Sequence, residues 1–279
     1  MPLRLYTSRY YLLITLVFLL AGCINADSRD RAALLAKKSG LNSQNLPTSF
    51  FELRSWQRIS DPAQPVRVYI EGDGFAWVSR TRPSDDPTPR QPTGLTLAAA
   101  DTSANVLYLA RPCQFIGPPL PANCGVTWWT DNRFSPQAVQ AMNEALSQAL
   151  RPWPGMPIEL VGYSGGGAIA ALIAARRDDV RSLRTVAGNL DVAYVNAAHH
   201  VSAMPHALSA IDVAPQLAHL PQIHFTGSAD TTVPPATARR FQQAAGGQCV
   251  RIEEVQGMAH GSDWAAVWPS LLQQQPDCR

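Results

Sequence analysis

The chain has 279 residues, 46% of them hydrophobic and 16% charged, with a formal charge of +2, which suits one α/β domain with a substantial core and demands no second domain. So small a charge, with no basic cluster interleaved with aromatics, sets nucleic acid aside as a partner. No repeat with a period of about 20 to 50 residues is visible, which sets aside solenoids and propellers.

The chain begins with a targeting pattern. Arg4 and Arg9 precede an apolar run from Tyr10 to Leu20, which leads into Leu20-Ala21-Gly22-Cys23: a positive start, a short apolar stretch, and small residues before a cut. The segment resembles the lipobox of bacterial lipoprotein signal peptides. The resemblance implies that residues 1–22 are a signal peptide, cleaved before an acylated Cys23, and that the protein is lipid-anchored in a bacterial cell envelope. An uncleaved anchor helix, or a plain secretory signal with an incidental cysteine, are the alternatives, although the run is shorter than the ~20 apolar residues a membrane helix needs. Loss of residues 1–22 removes Arg4 and Arg9 and no acid, leaving a formally neutral protein whose attachment would rest on lipid. Ile24 is not the acidic residue that likeness to lipoproteins associates with inner-membrane retention, which places the protein at the outer membrane, facing the periplasm.

Residues 23–48 read as the lipidated cysteine and a polar tether with a short helix ended near Gly40, and residues 49–279 as the folded domain. Phe51 and Leu53 alternate with Glu52 and Arg54 in a strand reaching Ile59. A turn at 61–65 leads to a second strand, Val66 to Ile70, which feeds the loop Glu71-Gly72-Asp73-Gly74. Four prolines between residues 79 and 94 mark a surface loop. A helix is expected over 94–104, a strand over 106–110, and a long loop over 111–134 that holds Cys113 and Cys124. Ser135-Pro136 is a helix start, serine as cap and proline first, for a helix to about Leu150.

The next stretch, Ile158 to Ala170, reads as strand, sharp turn and helix, with Gly162-Tyr163-Ser164-Gly165-Gly166 on the turn. This is G-x-S-x-G in the setting that exposes a nucleophilic serine. The glycines leave room for a strained backbone at Ser164. A strand at 183–187, an irregular stretch at 188–218, a strand at 222–226, a helix at 235–245, a strand at 250–255 and a helix at 262–275 complete the pattern. Strands alternating with helices indicate a mostly parallel sheet with helices on both faces.

A serine nucleophile needs a base, and the base needs an acid, in the chain order serine, acid, histidine on this architecture. His260 is the only one of six histidines after Asp230, and Asp230 lies in the loop after the 222–226 strand. Asp191, after the preceding strand, is the alternative acid. Gly165, next to the serine at a helix start, offers one N–H to a developing oxyanion. The second donor is expected from the backbone of Asp73 or Gly74. No C-x-x-C pair or H-E-x-x-H is present, so neither a metal nor a cofactor is expected.

These residues together resemble the α/β-hydrolase superfamily, with Gly162-x-Ser164-x-Gly166, Asp230 and His260 in order and Glu71-Gly72-Asp73-Gly74 in the oxyanion place, where histidine is common instead of Glu71. A closer likeness is to bacterial lipoprotein members, through Arg111-Pro112-Cys113-Gln114, Arg133-Phe134-Ser135, Ala187-Gly188-Asn189-Leu190-Asp191 and His224-Phe225. The resemblance implies the α/β-hydrolase fold and a serine mechanism on a small-molecule ester or acyl substrate, with a peptidase or amidase, or a non-catalytic binding module, as alternatives. Assigning Cys23 to lipid leaves Cys113, Cys124, Cys249 and Cys278 free to pair. Three pairings are possible, and proximity in sequence favours Cys113 with Cys124 and Cys249 with Cys278. Residues 188–218 occupy the usual cap position and are expected to shape the pocket. Trp128 and Trp129 either line it or pack beneath the loop.

Overall fold

The computed structural model describes residues 27–278; residues 1–22, expected to be a signal peptide, and Cys23 lie outside the described residues. In chain order the elements are α1 (Ser28–Lys38), β1 (Asn42–Pro47), β2 (Glu52–Ile59), β3 (Val66–Ile70), α2 (Thr93–Ala100), β4 (Asn105–Leu109), α3 (Pro136–Leu150), β5 (Ile158–Tyr163), α4 (Gly165–Ala174), β6 (Val180–Val186), α5 (Val192–Ala198), α6 (Ala210–Val213), β7 (Gln222–Gly227), α7 (Ala236–Ala245), β8 (Val250–Val255) and α8 (Trp264–Leu271). The strands form one eight-stranded sheet in the order β1-β2-β4-β3-β5-β6-β7-β8. β1 and β2 run antiparallel at one edge, and the strands from β4 through β8 are mutually parallel.

The period of two along each strand divides the core. Val68 and Ile70 of β3, Leu107 and Leu109 of β4, and Leu160 of β5 join the apolar cluster beneath α3, α4 and α7. Tyr69, Val106, Tyr108 and Val161, from the alternate positions, face the opposite cluster with α1, α2 and α8. Burial on both faces explains why these strands read as continuous apolar runs. The α4 helix, built from glycine, alanine, leucine and isoleucine, is buried along its whole length. A Cβ at Gly167 would come within 2.9 Å of Gly188 Cα, so small residues set how closely this helix approaches the segment after β6.

Three expectations are corrected. The tether at 23–48 is, from residue 28 onward, part of the folded body: Ala32 and Ala36 of α1 are buried, and β1 pairs with β2 along its length. β1 reads Asn-Ser-Gln-Asn-Leu-Pro and buries only Leu46, so it lacks the alternation that marks a strand and gains its conformation from β2's backbone. The 188–218 stretch holds α5 and α6. The last helix is shorter than expected, spanning Trp264–Leu271, with Asp263 as its cap accepting from Ala266 N–H at 3.2 Å. Disulfides join Cys113 to Cys124 and Cys249 to Cys278, the pairing that proximity favours. Among the described residues no helix is long and apolar enough to cross a membrane.

Candidate active site

β5 delivers the chain to Ser164, whose backbone sits at φ 52°, ψ −122° before α4 begins. A non-glycine residue pays for that positive φ, and the neighbouring glycines make the turn possible. A Cβ at Gly162 would lie 2.3 Å from Gly166 O, and one at Gly166 would lie 2.3 Å from Ile70 O. The sharp turn lifts Ser164 Oγ to the carboxyl end of the parallel strands.

Two later loops reach the same point. After β7, Asp230 accepts through Oδ1 from the N–H groups of Thr232 (2.9 Å) and Val233 (2.8 Å), which leaves Oδ2 for His260 Nδ1 at 2.8 Å. The Asp230 side chain is 0% exposed, so the contact with His260 is shielded from water. After β8, His260 Nε2 stands 3.0 Å from Ser164 Oγ. Ser164, His260 and Asp230 therefore form one continuous hydrogen-bonded line. Asp191, the alternative acid, is committed elsewhere: it caps α5 through Tyr194 N–H at 3.0 Å and pairs with Arg240 at 2.7 Å.

The backbone of His260 is held by two groups that the sequence did not reveal. Tyr163 Oη and Trp264 Nε1 both donate to the carbonyl oxygen of His260, at 3.0 and 3.1 Å. Burial pushes the Tyr163 phenol above its ordinary range, so it stays a donor. Other histidines have different surroundings. His224 is fully buried between Thr185 Oγ1 (2.8 Å) and Gln222 (3.1 Å), and desolvation pushes it down to about 3.

The loop after β3 faces the serine from the other side. Glu71 is buried, and its carboxylate accepts from the N–H groups of Gly72 (2.9 Å), Gly94 (3.0 Å) and Leu95 (3.2 Å) and from Tyr108 Oη (2.9 Å). Burial raises the pKa of its carboxyl, opposed by those four donors. It ties the start of the loop to the first turn of α2, the task the sequence could not assign to it. Asp73 is clamped by two arginines, Arg111 at 3.3 Å and Arg133 at 3.0 Å, and Gln114 Nε2 donates to Gly72 O at 3.0 Å. Gly74 has φ 72°, and a Cβ there would come within 2.1 Å of Pro87 O. Among the described residues no acceptor takes the N–H of Asp73 or Gly74, and Gly165 N–H belongs to a first helical turn, where donors lack intrahelical partners.

Ser164 and His260 open into a cleft of about 610 Å³, walled by Phe75, Trp77, Pro89, Arg90, Arg133 and Thr232 among others. No residue of 188–218 lines it, so the expected cap segment does not shape this cleft; the proline-rich 75–93 loop does. Trp128 and Trp129 pack instead: Trp128 meets Phe51 edge-on at 5.0 Å, and Trp129 Nε1 donates to Ser84 O at 3.1 Å. Among the described residues no group of three or more His, Cys, Asp or Glu is placed to hold a metal ion.

No family model matches the chain, and no curated protein matches it in sequence. Solved structures do. The chain is similar to an acylaminoacyl peptidase from Pyrococcus horikoshii, with a TM-score of 0.60 and 12% identity over 84% of this chain and 40% of that one; it therefore spans well under half of that protein. It is similar to a membrane phospholipase A described as a bacterial virulence factor, with a TM-score of 0.57 and 16% identity over 95% of this chain and 98% of that one. An alpha-beta serine hydrolase homologue from Coxiella burnetii matches with a TM-score of 0.56 and 15% identity, over 83% and 95% of the two chains. The fold is that of the α/β-hydrolases.

Proposed function

We propose that this protein is a serine hydrolase that cleaves carboxylic esters. The observation that carries the proposal is the position of His260, 3.0 Å from Ser164 Oγ and 2.8 Å from Asp230 Oδ2. His260 takes the Ser164 proton as Oγ attacks the acyl carbon. The oxyanion is held by Gly165 N–H and by the N–H of Asp73 or Gly74, and Asp230 fixes the tautomer and stabilises the imidazolium. His260 then gives its proton to the departing alkoxide. Water, activated by the same imidazole, attacks the acyl-serine and releases the acid, and Ser164 recovers its proton. No cofactor enters this cycle.

Likeness in fold to the membrane phospholipase A, over nearly the full length of both chains, supports an ester as the substrate. Likeness to the acylaminoacyl peptidase favours an amide as the second reading, since the same three residues serve either leaving group. We further propose acylation at Cys23 and an outer-membrane location facing the periplasm, on the strength of Leu20-Ala21-Gly22-Cys23 and of Ile24. Disulfides at Cys113–Cys124 and Cys249–Cys278 fit an oxidising compartment.

Treatment of the purified protein with a fluorophosphonate probe tests the mechanism. Labelling is expected at Ser164 and should vanish in His260→Ala. A well-folded protein that takes no label would put a binding module on the hydrolase fold ahead. Matched ester and amide substrates carrying one acyl group then separate the two hydrolase readings.

A further inference from the structure

The cleft is bordered by a feature that the hydrolytic mechanism does not use. Between Trp77 and Pro83 the chain forms a small hairpin, closed by an isolated bridge between those residues and by Val78 N–H donating to Arg82 O at 2.9 Å. Its outgoing arm presents Trp77 and Val78, both 42% exposed, and its turn and return arm carry the exposed side chains of Arg80 and Arg82. Trp77 also lines the wall of the cleft. Arg90, exposed on the same rim, stacks its guanidinium 3.8 Å over Phe75. Among the described residues, Arg80, Arg82 and Arg90 have no acidic partner; of the two acids in this loop, Asp86 is already paired with Arg29 at 2.5 Å, leaving Asp85. Exposed tryptophan and valine on one arm, with arginines at the turn, on the other arm and on the neighbouring rim, make an amphipathic hairpin.

The position of the described chain's start indicates what that hairpin meets. Arg29, two residues after the first described residue, is bonded to Asp86 of the same loop, and α1 shares a groove with Arg90 and Gln91, which also border the cleft. The described chain therefore begins on the side where the cleft opens. The proposed acyl cysteine, Cys23, precedes Asp27 by four residues, a reach of ~14 Å at full extension. A lipid anchor so close would hold this rim at the bilayer, and a hairpin with exposed tryptophan and arginine matches the chemistry of a bilayer interface carrying anionic headgroups.

We propose that the 77–83 hairpin is an interfacial contact that seats the cleft on an anionic lipid surface, so that the ester cleaved is an acyl lipid of that membrane. The substrate half of this inference rests on the hydrolase reading; the docking half rests on the proposed acylation of Cys23 and on the exposed hairpin. Trp77 enters the acyl-headgroup boundary, Val78 follows it, and Arg80, Arg82 and Arg90 meet the phosphates. Ser164 then lies beneath a mouth that faces lipid, and an acyl chain reaches it without crossing water.

Two measurements on the full-length protein test the proposal. The first is fluorescence in phosphatidylcholine vesicles containing one third phosphatidylglycerol, with Trp77→Phe as the reference, so that the difference isolates Trp77. Quenching of that component by brominated acyl chains, together with loss of its quenching by aqueous iodide, is expected. A Trp77 component that stays open to iodide and is untouched by brominated lipid overturns the proposal and leaves the hairpin to a protein partner. The second is turnover by Arg80→Glu/Arg82→Glu, whose two side chains contact nothing in the catalytic line. Hydrolysis of a water-soluble short-chain ester should stay within about twofold of wild type, while hydrolysis of an acyl ester in the anionic vesicles falls at least about fivefold, as loss of basic residues at a charged surface requires. Equal rates on both substrates overturn the proposal. Absence of turnover by the wild type on either substrate would defeat the hydrolase reading alone, because the fluorescence still decides where the hairpin lies.

Discussion

The carboxylate of Asp73 lies against the α-carbon of Gly165: a Cβ added at 165 would come within 2.0 Å of Asp73 Oδ1 and 2.6 Å of its Cγ. Gly165 and Asp73, two of the backbone donors proposed for the oxyanion, are thus in direct contact through a side chain. That side chain cannot swing aside freely, because Arg111 and Arg133 hold both of its oxygens.

Gly165→Ala follows from this contact. Alanine is the better helix former, by about 1 kcal/mol, so global stability should change little. Asp73 must move, however, and its backbone N–H moves with it. Loss of one oxyanion donor is worth about 100- to 1,000-fold in kcat. Steady-state kinetics on a short-chain ester should show that fall with little change in the melting temperature. A variant within threefold of wild type would mean that Asp73 is not a donor and that its contact with Gly165 only packs.

The two candidate acids separate by substitution. Asp230→Asn keeps the bonds from Thr232 and Val233 N–H but turns an amide toward His260 and favours the wrong tautomer, which in the Ser-His-Asp template costs about 10⁴ in kcat. Asp191→Asn should leave kcat within about threefold. It keeps the cap on α5, since asparagine caps as well as aspartate, and removes the ion pair with Arg240, a stability effect of at most about 1 kcal/mol. Comparable rate losses in both variants would refute this division.

The line of Ser164, Asp230 and His260 was legible because the chain order and the strand-turn-helix setting constrain it without any knowledge of contacts. The parallel sheet was legible for a similar reason: strands buried on both faces carry unbroken apolar runs. β1 was not, since Asn42–Pro47 holds no apolar period and depends on a neighbour 5 to 15 residues later in the chain. Nor were the supports of the site. Tyr163 and Trp264 act through hydrogen bonds to one carbonyl, and Arg111 and Arg133 converge on Asp73 from 38 and 60 residues away. Arg111 and Arg133 lie in motifs that the sequence displays, yet only the fold gives them a partner. The walls of the cleft were misplaced because chain order says where a cap segment usually falls, whereas here the 75–93 loop fills that place.

Glu71 offers a test of how the loop after β3 is held. Its carboxylate takes three N–H donors and the Tyr108 hydroxyl. In Glu71→Gln one oxygen becomes an amide group facing Leu95 N–H, and although Tyr108 can turn its hydroxyl to accept, the N–H cannot. An unsatisfied buried donor costs about 1 to 3 kcal/mol. Urea unfolding should register that loss, and kcat should fall more than KM rises, because the slackened loop carries Asp73. Unchanged stability would show that the four donors find other acceptors.

His224 predicts how stability depends on pH. Buried without a charged neighbour in its hydrogen-bonded set, it is pushed down to about 3 from an ordinary value of 6.5. The folded protein therefore keeps this imidazole neutral while the unfolded chain takes up a proton below pH 6.5. The unfolded state binds more protons, so folding free energy is lost as pH falls from 6.5 toward 3, by at most about 1.4 kcal/mol per pH unit. Above pH 7 the group contributes no slope. His224→Gln removes the titration and should flatten that part of the curve, at the cost of some stability at every pH from altered bonds to Thr185 and Gln222. Urea midpoints at pH 7.5 and 4.5 test this: wild type should lose about 2 to 3 kcal/mol more than the variant between the two. An equal loss in both would assign the acid sensitivity to other groups.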